Sequence, residues 1–368
     1  MTAIPTVLVM AGGTGGHVFP ALAVAQTLQG RGWLVHWMGT ERGLEARVAA
    51  SEDIESHALP VQGLRGKGWR HRITAVFNLL RSLLQSLRLL LELKPNVVLG
   101  MGGYAAGPGG VAALLLGKPL VIHEQNAVAG TTNRLLAPLA RRVLFGLPGA
   151  FEESQRRYWV GNPVRTAITR LSGHPHGRVD AFSAERPMRL LILGGSLGSG
   201  PLNGALPEVL RHLSRDSKTC LSIRHQCGEA NLTATETAYK PHGDARVEVM
   251  AFIDDMAAAY EWADLVICRA GALTVSELAL AGRAAILVPL PHAIDDHQTK
   301  NARILSDAGA GQVVVQDEQM VSKLVQLLLG LLAMPGRVIA MGGAASALAA
   351  PEATGRVADA VEEVAGDR

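Results

Sequence analysis

One strand–turn–helix unit occurs twice in this chain, and that repetition limits its fold more than any other feature. TVLVMAGGTGGHVFPALA, which starts at Thr6, returns as RLLILGGSLGSGPLNGAL from Arg189, and Gly12-Gly13-Thr14 matches Gly194-Gly195-Ser196 at a constant offset of 182. Each copy runs from apolar strand residues through a glycine turn into a helix. Such units build parallel sheets whose two faces are both covered by helices. WLVHWMG, NVVLGMGGYAAGPGG, KPLVIHEQN and RRVLFG extend the pattern in the first half, and DLVICRAGALTVSELALAGRAAILVPLP extends it in the second. A length of 368 residues leaves room for two domains. The polar, glycine- and proline-containing LSGHPHGRVDAFSAERP reads as a loop near their boundary. The expected fold is α/β, with two Rossmann-like doubly wound domains. By pattern alone the last helix, PEATGRVADAVEEVA, could pack on either.

Bulk properties narrow the setting. The three cysteines, Cys220, Cys227 and Cys268, have no metal-type spacing, which points to a reducing compartment with neither disulfide framework nor zinc site. The amino terminus leads directly into a strand, with no secretory-signal pattern. No apolar run is long enough to span a bilayer. Residues 1–165 carry 17 Lys+Arg against 9 Asp+Glu, a net of +8, while the rest carry 18 against 23, a net of −5. That asymmetry suggests an anionic partner for the first half, either nucleic acid or a membrane.

Three glycine-rich loops, at 12–16, 102–110 and 194–200, each precede a helix pattern. Free N–H groups and the positive dipole end at a helix start favour phosphate, although any one such loop is equally readable as a tight packing turn. The first loop lacks the ordered G-x-G-x-x-G reading, so a dinucleotide site is disfavoured, even with Glu41 where a ribose-binding acid would sit. RAGALTVSE places Ala272–Glu277 in the first turns of a helix, where backbone N–H groups suit a diphosphate and Glu277 suits a sugar diol. The same spacing, Thr274 to Glu277, also reads as a capping box. Pro20 is expected in the first turn of its helix. His292, Asp295, Asp296 and His297 read as a solvated loop rather than a metal cluster. In ITAVFNLLRSLLQSLRLLLEL, residues Thr74, Asn78, Arg81, Gln85, Arg88 and Glu92 form a polar stripe on a helix whose other face is broadly apolar. Part of that face is expected to pack on the sheet. Arg65, Lys67, Arg70 and Arg72 precede it, the arrangement with which a soluble protein docks on anionic lipid. The apolar candidates for insertion are Val76, Phe77 and Leu80.

GGTGGHVFPALA, GLRGKG, VVLGMGGYAAGPGG, HEQNAVAGTTN, VGNPVR, FIDDMAAAYEWADLVICRAGALTVSELA and DDHQTKNA together resemble the MurG family of peptidoglycan glycosyltransferases. The motifs run in order along nearly the whole chain, and the likeness weakens at 170–187 and after 315. The resemblance implies the GT-B fold: domains 1–163, facing acceptor and membrane, and 164–350, binding UDP-GlcNAc, set across a cleft, with 351–368 crossing back to the first. It implies transfer of GlcNAc from UDP-GlcNAc to the MurNAc 4-hydroxyl of a polyprenyl-diphosphate-linked muramyl pentapeptide (lipid I), with inversion, giving lipid II for cell-wall synthesis, cell shape and division.

By the same resemblance, donor contacts map to Thr14, Gly15, Gly16, Asn126, Arg165, Ser196, Ile253, Ala272, Leu273, Thr274, Val275, Ser276, Glu277 and Gln298. Two positions depart from the family pattern: Leu197 stands where glutamine is common, and Ala270 where serine is frequent. His17 is the expected general base, or orients the acceptor, because an imidazole can take a hydroxyl proton near neutral pH. The competing reading is a histidine that packs at the helix start. Expected partners are the donor, the lipid acceptor, an anionic membrane surface and, as candidates, cell-wall synthesis proteins, with no nucleic acid. No metal and no tightly bound cofactor are expected, and the implied location is peripheral, at the cytoplasmic face of the bacterial inner membrane. Two alternatives are a UDP-GlcNAc 2-epimerase-like enzyme and a non-catalytic nucleotide-sugar-binding protein.

Overall fold

The computed structural model describes residues 4–40, 43–60, 69–173, 181–195, 197–243, 245–291 and 293–366, apart from the side chains of residues 69–76 and Ile294. The chain divides into two compact units, residues 1–165 with 351–368, and residues 166–350. The division falls two residues beyond the boundary placed from sequence.

In the first unit the strands are β1 (Thr6–Met10), β2 (Leu34–Thr40), β3 (Glu55–Leu59), β4 (Val97–Gly100), β5 (Leu120–Glu124), β6 (Arg142–Phe145) and β7 (Arg157–Trp159). They form one sheet in the order β3-β2-β1-β4-β5-β6-β7. In the second unit they are β8 (Met188–Leu193), β9 (Leu221–Gln226), β10 (Arg246–Met250), β11 (Leu265–Cys268), β12 (Ala284–Leu287) and β13 (Gly311–Val313), in the order β10-β9-β8-β11-β12-β13. Every pairing in both sheets is parallel. Both sheets share the 3-2-1-4-5-6 order of a doubly wound fold, and the first adds β7 at its edge. The sequence repeat is therefore a repeat of topology: β1 and β8 are the strands beside which chain order reverses, and the crevice at that switch point is where such sheets bind ligands.

Alternation explains why β1 is apolar from Val7 onward. Val7, Val9 and Ala11 belong to the core on one face, and Leu8 and Met10 to the core on the other. The first face is closed by the helix Gly15–Gly30 and by the last helix, Ala353–Gly366, which buries Val357, Val361 and Val364. Arg31 fixes that last helix through Asp359 and Glu362, both at 2.7 Å, and Trp33 donates its indole N–H to Glu362 at 2.9 Å. Arg142 pairs with Glu363.

Pro20 does not sit in the first helical turn. The helix begins at Gly15, so Pro20 lies in the second turn and supplies no N–H to the Gly16 carbonyl. The matched glycines of the repeat have one conformation. Gly13 (φ 96°) and Gly195 (φ 87°) are both in the left-handed region, which a side chain would strain. Among the described residues no single helix is long and apolar enough to cross a membrane.

Candidate active site

In the first unit, the loops after β1, β4 and β5 converge on His17. Its Nδ1 lies 2.9 Å from Oε1 of Gln125. Gln125 is 1% exposed, and its Nε2 donates to the Met101 carbonyl at 3.0 Å, an acceptor that cannot donate in return. That contact fixes which way the amide points, so Oε1 faces His17 and must receive a proton from Nδ1. The same Nε2 lies 3.1 Å from Nδ1 of His123, whose Nε2 donates to the Gly161 carbonyl at 3.0 Å. Burial pushes the His123 ring down to about 4, outweighing the Gly161 hydrogen bond that favours its charged form, so at neutral pH it accepts from the amide. The relay has one consistent proton arrangement. Neutral His17 carries its proton on Nδ1 and presents a lone pair on Nε2.

The glycines beside His17 make this arrangement possible. A Cβ on Gly102 would stand 2.8 Å from Nδ1 of His17, and one on Gly103 would stand 2.2 Å from the Gly12 carbonyl oxygen. The β1 and β4 loops thus touch backbone to backbone, with the imidazole packed over Gly102. Glu124 organises the neighbouring loop: Oε1 accepts from N and Nδ2 of Asn126, both at 3.1 Å, and Oε2 accepts from Gly130 N at 3.0 Å and Asn133 Nδ2 at 2.8 Å.

Sequence reasoning missed a second buried carboxylate. Glu45, 1% exposed, accepts from Thr40 N at 2.8 Å, Thr40 Oγ1 at 2.6 Å and Gly13 N at 3.3 Å. Burial alone would raise its pKa, but the hydrogen bonds from Thr40, its own backbone and Gly13 prevail and hold the carboxyl below its ordinary value. It anchors the first glycine loop from beneath. The only signal for it in the sequence is an acidic residue in the first turn of a short helix, which is common.

In the second unit, the helix Ala272–Ala281 starts directly after β11. Gly271 is its N-cap, no side chain caps it, and its first turn holds no acid. Thr274 is thus the third helical residue, so the capping-box reading of Thr274 and Glu277 fails. Ala272 and Val275 are buried in the core and can offer a ligand only backbone. Glu277, 8% exposed, accepts a hydrogen bond from the Tyr260 hydroxyl at 2.9 Å. Just before the helix start, half-buried Arg269 donates to Val288 O at 3.0 Å, Ser199 Oγ at 2.8 Å and Gln316 Oε1 at 2.7 Å. Burial lowers its pKa, and an arginine guanidinium stays charged in proteins. A positive charge and an uncapped helix start therefore share one end of the sheet, which suits an anion. Ser199 brings the repeated glycine loop into the same cluster.

These features agree with what the comparisons with known proteins find. Residues 7–145 match the glycosyltransferase family 28 N-terminal domain, and residues 189–362 match the family 28 C-terminal domain. A UDP-N-acetylglucosamine--N-acetylmuramyl-(pentapeptide) pyrophosphoryl-undecaprenol N-acetylglucosamine transferase from Pseudomonas paraeruginosa is 51% identical over 359 residues, 98% of each chain. The crystal structure of Acinetobacter baumannii MurG superposes with a TM-score of 0.82 at 41% identity, covering 98% of this chain and 99% of that one. The chain belongs to the MurG family of glycosyltransferases. A UDP-N-acetylglucosamine 2-epimerase from Listeria monocytogenes, at 14% identity, TM-score 0.66 and coverage of 98% and 96%, shares only the fold.

On this MurG-family chain the residues singled out from sequence fall into three groups. Thr14, Gly15 and Gly16 open the helix that carries His17, and Thr14 is an exposed N-cap whose hydroxyl makes no capping bond. Asn126 stands beside them on the β5 loop. Arg165 lies over the Phe19 ring, 5.5 Å from its centroid. Glu277, with Leu273, Thr274 and Ser276, lies on the second unit's helix. Ile253 follows β10, and Gln298 accepts from Leu290 N at 2.9 Å after β12. Ser196, Glu41, His292, Arg65 and Lys67 lie outside the described residues, as do the side chains of Arg70, Arg72 and Val76.

The long helix Trp69–Leu93 adds a feature the sequence did not mark. Its most buried line is Ser82, Ser86 and Leu90. The two hydroxyls are satisfied within the helix, on the Asn78 and Ser82 carbonyls at 2.7 and 2.8 Å. Small residues there let the helix approach the glycine- and alanine-rich helix Ala106–Leu115. Leu83, Leu87, Leu90 and Leu93 pack on the core beside these serines, as expected of part of the apolar face, and other large apolar side chains stay outside it. Phe77, Leu80, Leu84 and Leu91 are 56–67% exposed along one ridge, with exposed Arg81 and Arg88 beside it.

Proposed function

We propose that this chain transfers N-acetylglucosamine from UDP-N-acetylglucosamine to the 4-hydroxyl of N-acetylmuramate in a polyprenyl-diphosphate-linked muramyl pentapeptide, with inversion. Nε2 of His17 takes the proton of the acceptor hydroxyl. The oxygen forms a bond to the anomeric carbon as the bond from that carbon to the diphosphate breaks, and UDP leaves with the electron pair. The observation that carries this reading is the Gln125 amide, which holds the His17 proton on Nδ1 and leaves Nε2 as the base. Full-length identity to relatives named for this reaction supports the substrates.

On the second unit, Glu277 binds the ribose hydroxyls and the uncapped helix start at Ala272 binds the diphosphate, with the Arg269 charge behind it. The leaving group is then stabilised by backbone N–H groups and arginine, so the step as proposed needs no resident metal. The acceptor is a lipid, and the first unit is proposed to meet it as a peripheral protein at the cytoplasmic face of the membrane. The ridge Phe77–Leu80–Leu84–Leu91 with its arginines, and the net +8 of residues 1–165, support that docking.

Product analysis with UDP-GlcNAc, with and without a short-chain lipid I analogue, tests the reading. Acceptor-dependent release of UDP and formation of the disaccharide are expected. An epimerised nucleotide sugar without acceptor, or binding with no product, overturns it.

A further inference from the structure

The first unit's sheet carries a second group of side chains, away from the strand ends where His17 sits. In the parallel register of β2 and β3, His36 lies opposite Glu55 and Met38 opposite His57. His36, Glu55 and His57 therefore share one face at the sheet's edge. Nδ1 of His36 is 3.2 Å from Nε2 of His57 and 3.4 Å from Oε2 of Glu55, and Nε2 of His57 is 3.9 Å from Oε1 of Glu55. No sequence motif announces this group, because its members come from two strands 19 residues apart at their closest.

From these distances we propose that His36, His57 and Glu55 form a binding site for a divalent transition metal of the zinc class. A tetrahedral ion about 2.0–2.1 Å from each nitrogen holds adjacent ligand atoms about 3.3 Å apart. The His36–His57 separation and the His36 Nδ1–Glu55 Oε2 separation already match that spacing, and Glu55, whose side chain is 67% exposed, can turn to bring one carboxylate oxygen toward both nitrogens. Without an ion, the His36 Nδ1 position faces both a ring nitrogen and a carboxylate oxygen, and one proton there cannot serve both. An ion shared by all three atoms resolves the conflict. Two imidazoles and one carboxylate favour zinc-like ions over magnesium or calcium, which prefer all-oxygen sets. The exposed Glu55 side leaves the fourth position to water. Glu92, whose charge acts on His57, adds negative potential. Bound there, the ion would tie the edge strand β3 to β2 just before the basic segment that leads into the Trp69–Leu93 helix.

The test uses the full chain, stripped with a chelator and dialysed. Calorimetric titration with zinc chloride should show a single tight equivalent, and cobalt(II) should give the visible bands of a tetrahedral complex. Glu55→Gln changes an exposed side chain, so it should keep the fold. It should weaken the tight phase by at least the roughly 10–100-fold that losing even an outer partner of a metal site costs. The double variant His57→Gln/Glu55→Gln should abolish it. Zinc should raise the melting temperature of the parent and not of the double variant, and magnesium should move neither. A parent without a tight equivalent, or a double variant that binds zinc as the parent does, overturns the proposal.

Discussion

Oε1 of Gln125 accepts the Nδ1 proton of His17 at 2.9 Å because the other end of the same amide is committed to the Met101 carbonyl. A neutral side chain thereby decides which nitrogen of the histidine is basic. Gln125→Met keeps the length and removes the amide's contacts to His17, Met101 and His123. Turnover should fall by roughly 3–10-fold, the worth of one net hydrogen bond, with UDP affinity unchanged. The KM–kcat split makes this a test of positioning: wild-type turnover in a folded variant would refute the relay.

His17→Ala removes the proposed base itself. Turnover should drop by roughly a hundredfold or more, and calorimetry should find UDP binding nearly intact, since the ribose and diphosphate contacts proposed above lie on the second unit. A variant that turns over like the parent would leave His17 a packing residue.

Glu277→Ala should weaken UDP by roughly tenfold or more, because a hydrogen bond to a charged acceptor is worth about 1.5–3 kcal/mol. A 2′,3′-dideoxyribose analogue should lose much less. Tyr260→Phe, which removes the 2.9 Å contact steadying the carboxylate, should have a smaller effect of the same kind. Equal losses for UDP and the dideoxy analogue would show that Glu277 does not hold the ribose.

Glu45 connects the first glycine loop to pH. Its folded carboxyl titrates below its ordinary value of 4.5. The stabilisation from its ionised form is therefore complete above that value and is lost as pH falls through the folded pKa. Glu45→Gln should destabilise the protein at pH 7 by about 1–3 kcal/mol, and the gap from the parent should narrow below about pH 4. Denaturant melts at both pH values decide it. A gap that stays constant would mean the charge of Glu45 is immaterial.

Replacing Arg65, Lys67, Arg70 and Arg72 with serine should release the protein from anionic vesicles, since each basic residue near such a surface contributes about 1 kcal/mol. Phe77→Ser with Leu84→Ser should weaken binding independently of salt. Both variants should bind UDP normally. Co-sedimentation equal to that of the parent for both would place the membrane contact elsewhere.

The two sheets were legible because their central strands are buried on both faces and carry unbroken apolar runs, VLVM from Val7 and LLIL from Leu190. Edge strands were not. ESHAL in β3 and RVEVM in β10 mix polar and apolar residues because one side of each meets solvent. The glycine loops and the RAGALTVSE helix could be located from spacing. Their chemistry could not, since the proton on His17 is set by Gln125, 108 residues away, and by a carbonyl that no pattern marks. For the Trp69–Leu93 helix the polar stripe and a partly packed, partly exposed apolar face were legible, but the two buried serines were not. Periodicity separates polar from apolar faces, but it does not say which face the protein covers, and here serines face inward.

The return of the helix Ala353–Gly366 to the first unit has a consequence for how the molecule is made. During synthesis the first sheet emerges long before the residues that finish covering it. Val7, Val9, Trp37 and Leu99 share a core with Val357, Val361 and Val364, and those arrive only after the whole second unit has been translated. Until then one face of the nascent first unit is incompletely sealed, and a fragment ending at residue 165 would keep it so. The unit that begins first is thus finished last, and the 166–350 unit, contiguous in sequence, is the one able to reach its native core while the ribosome is still at work.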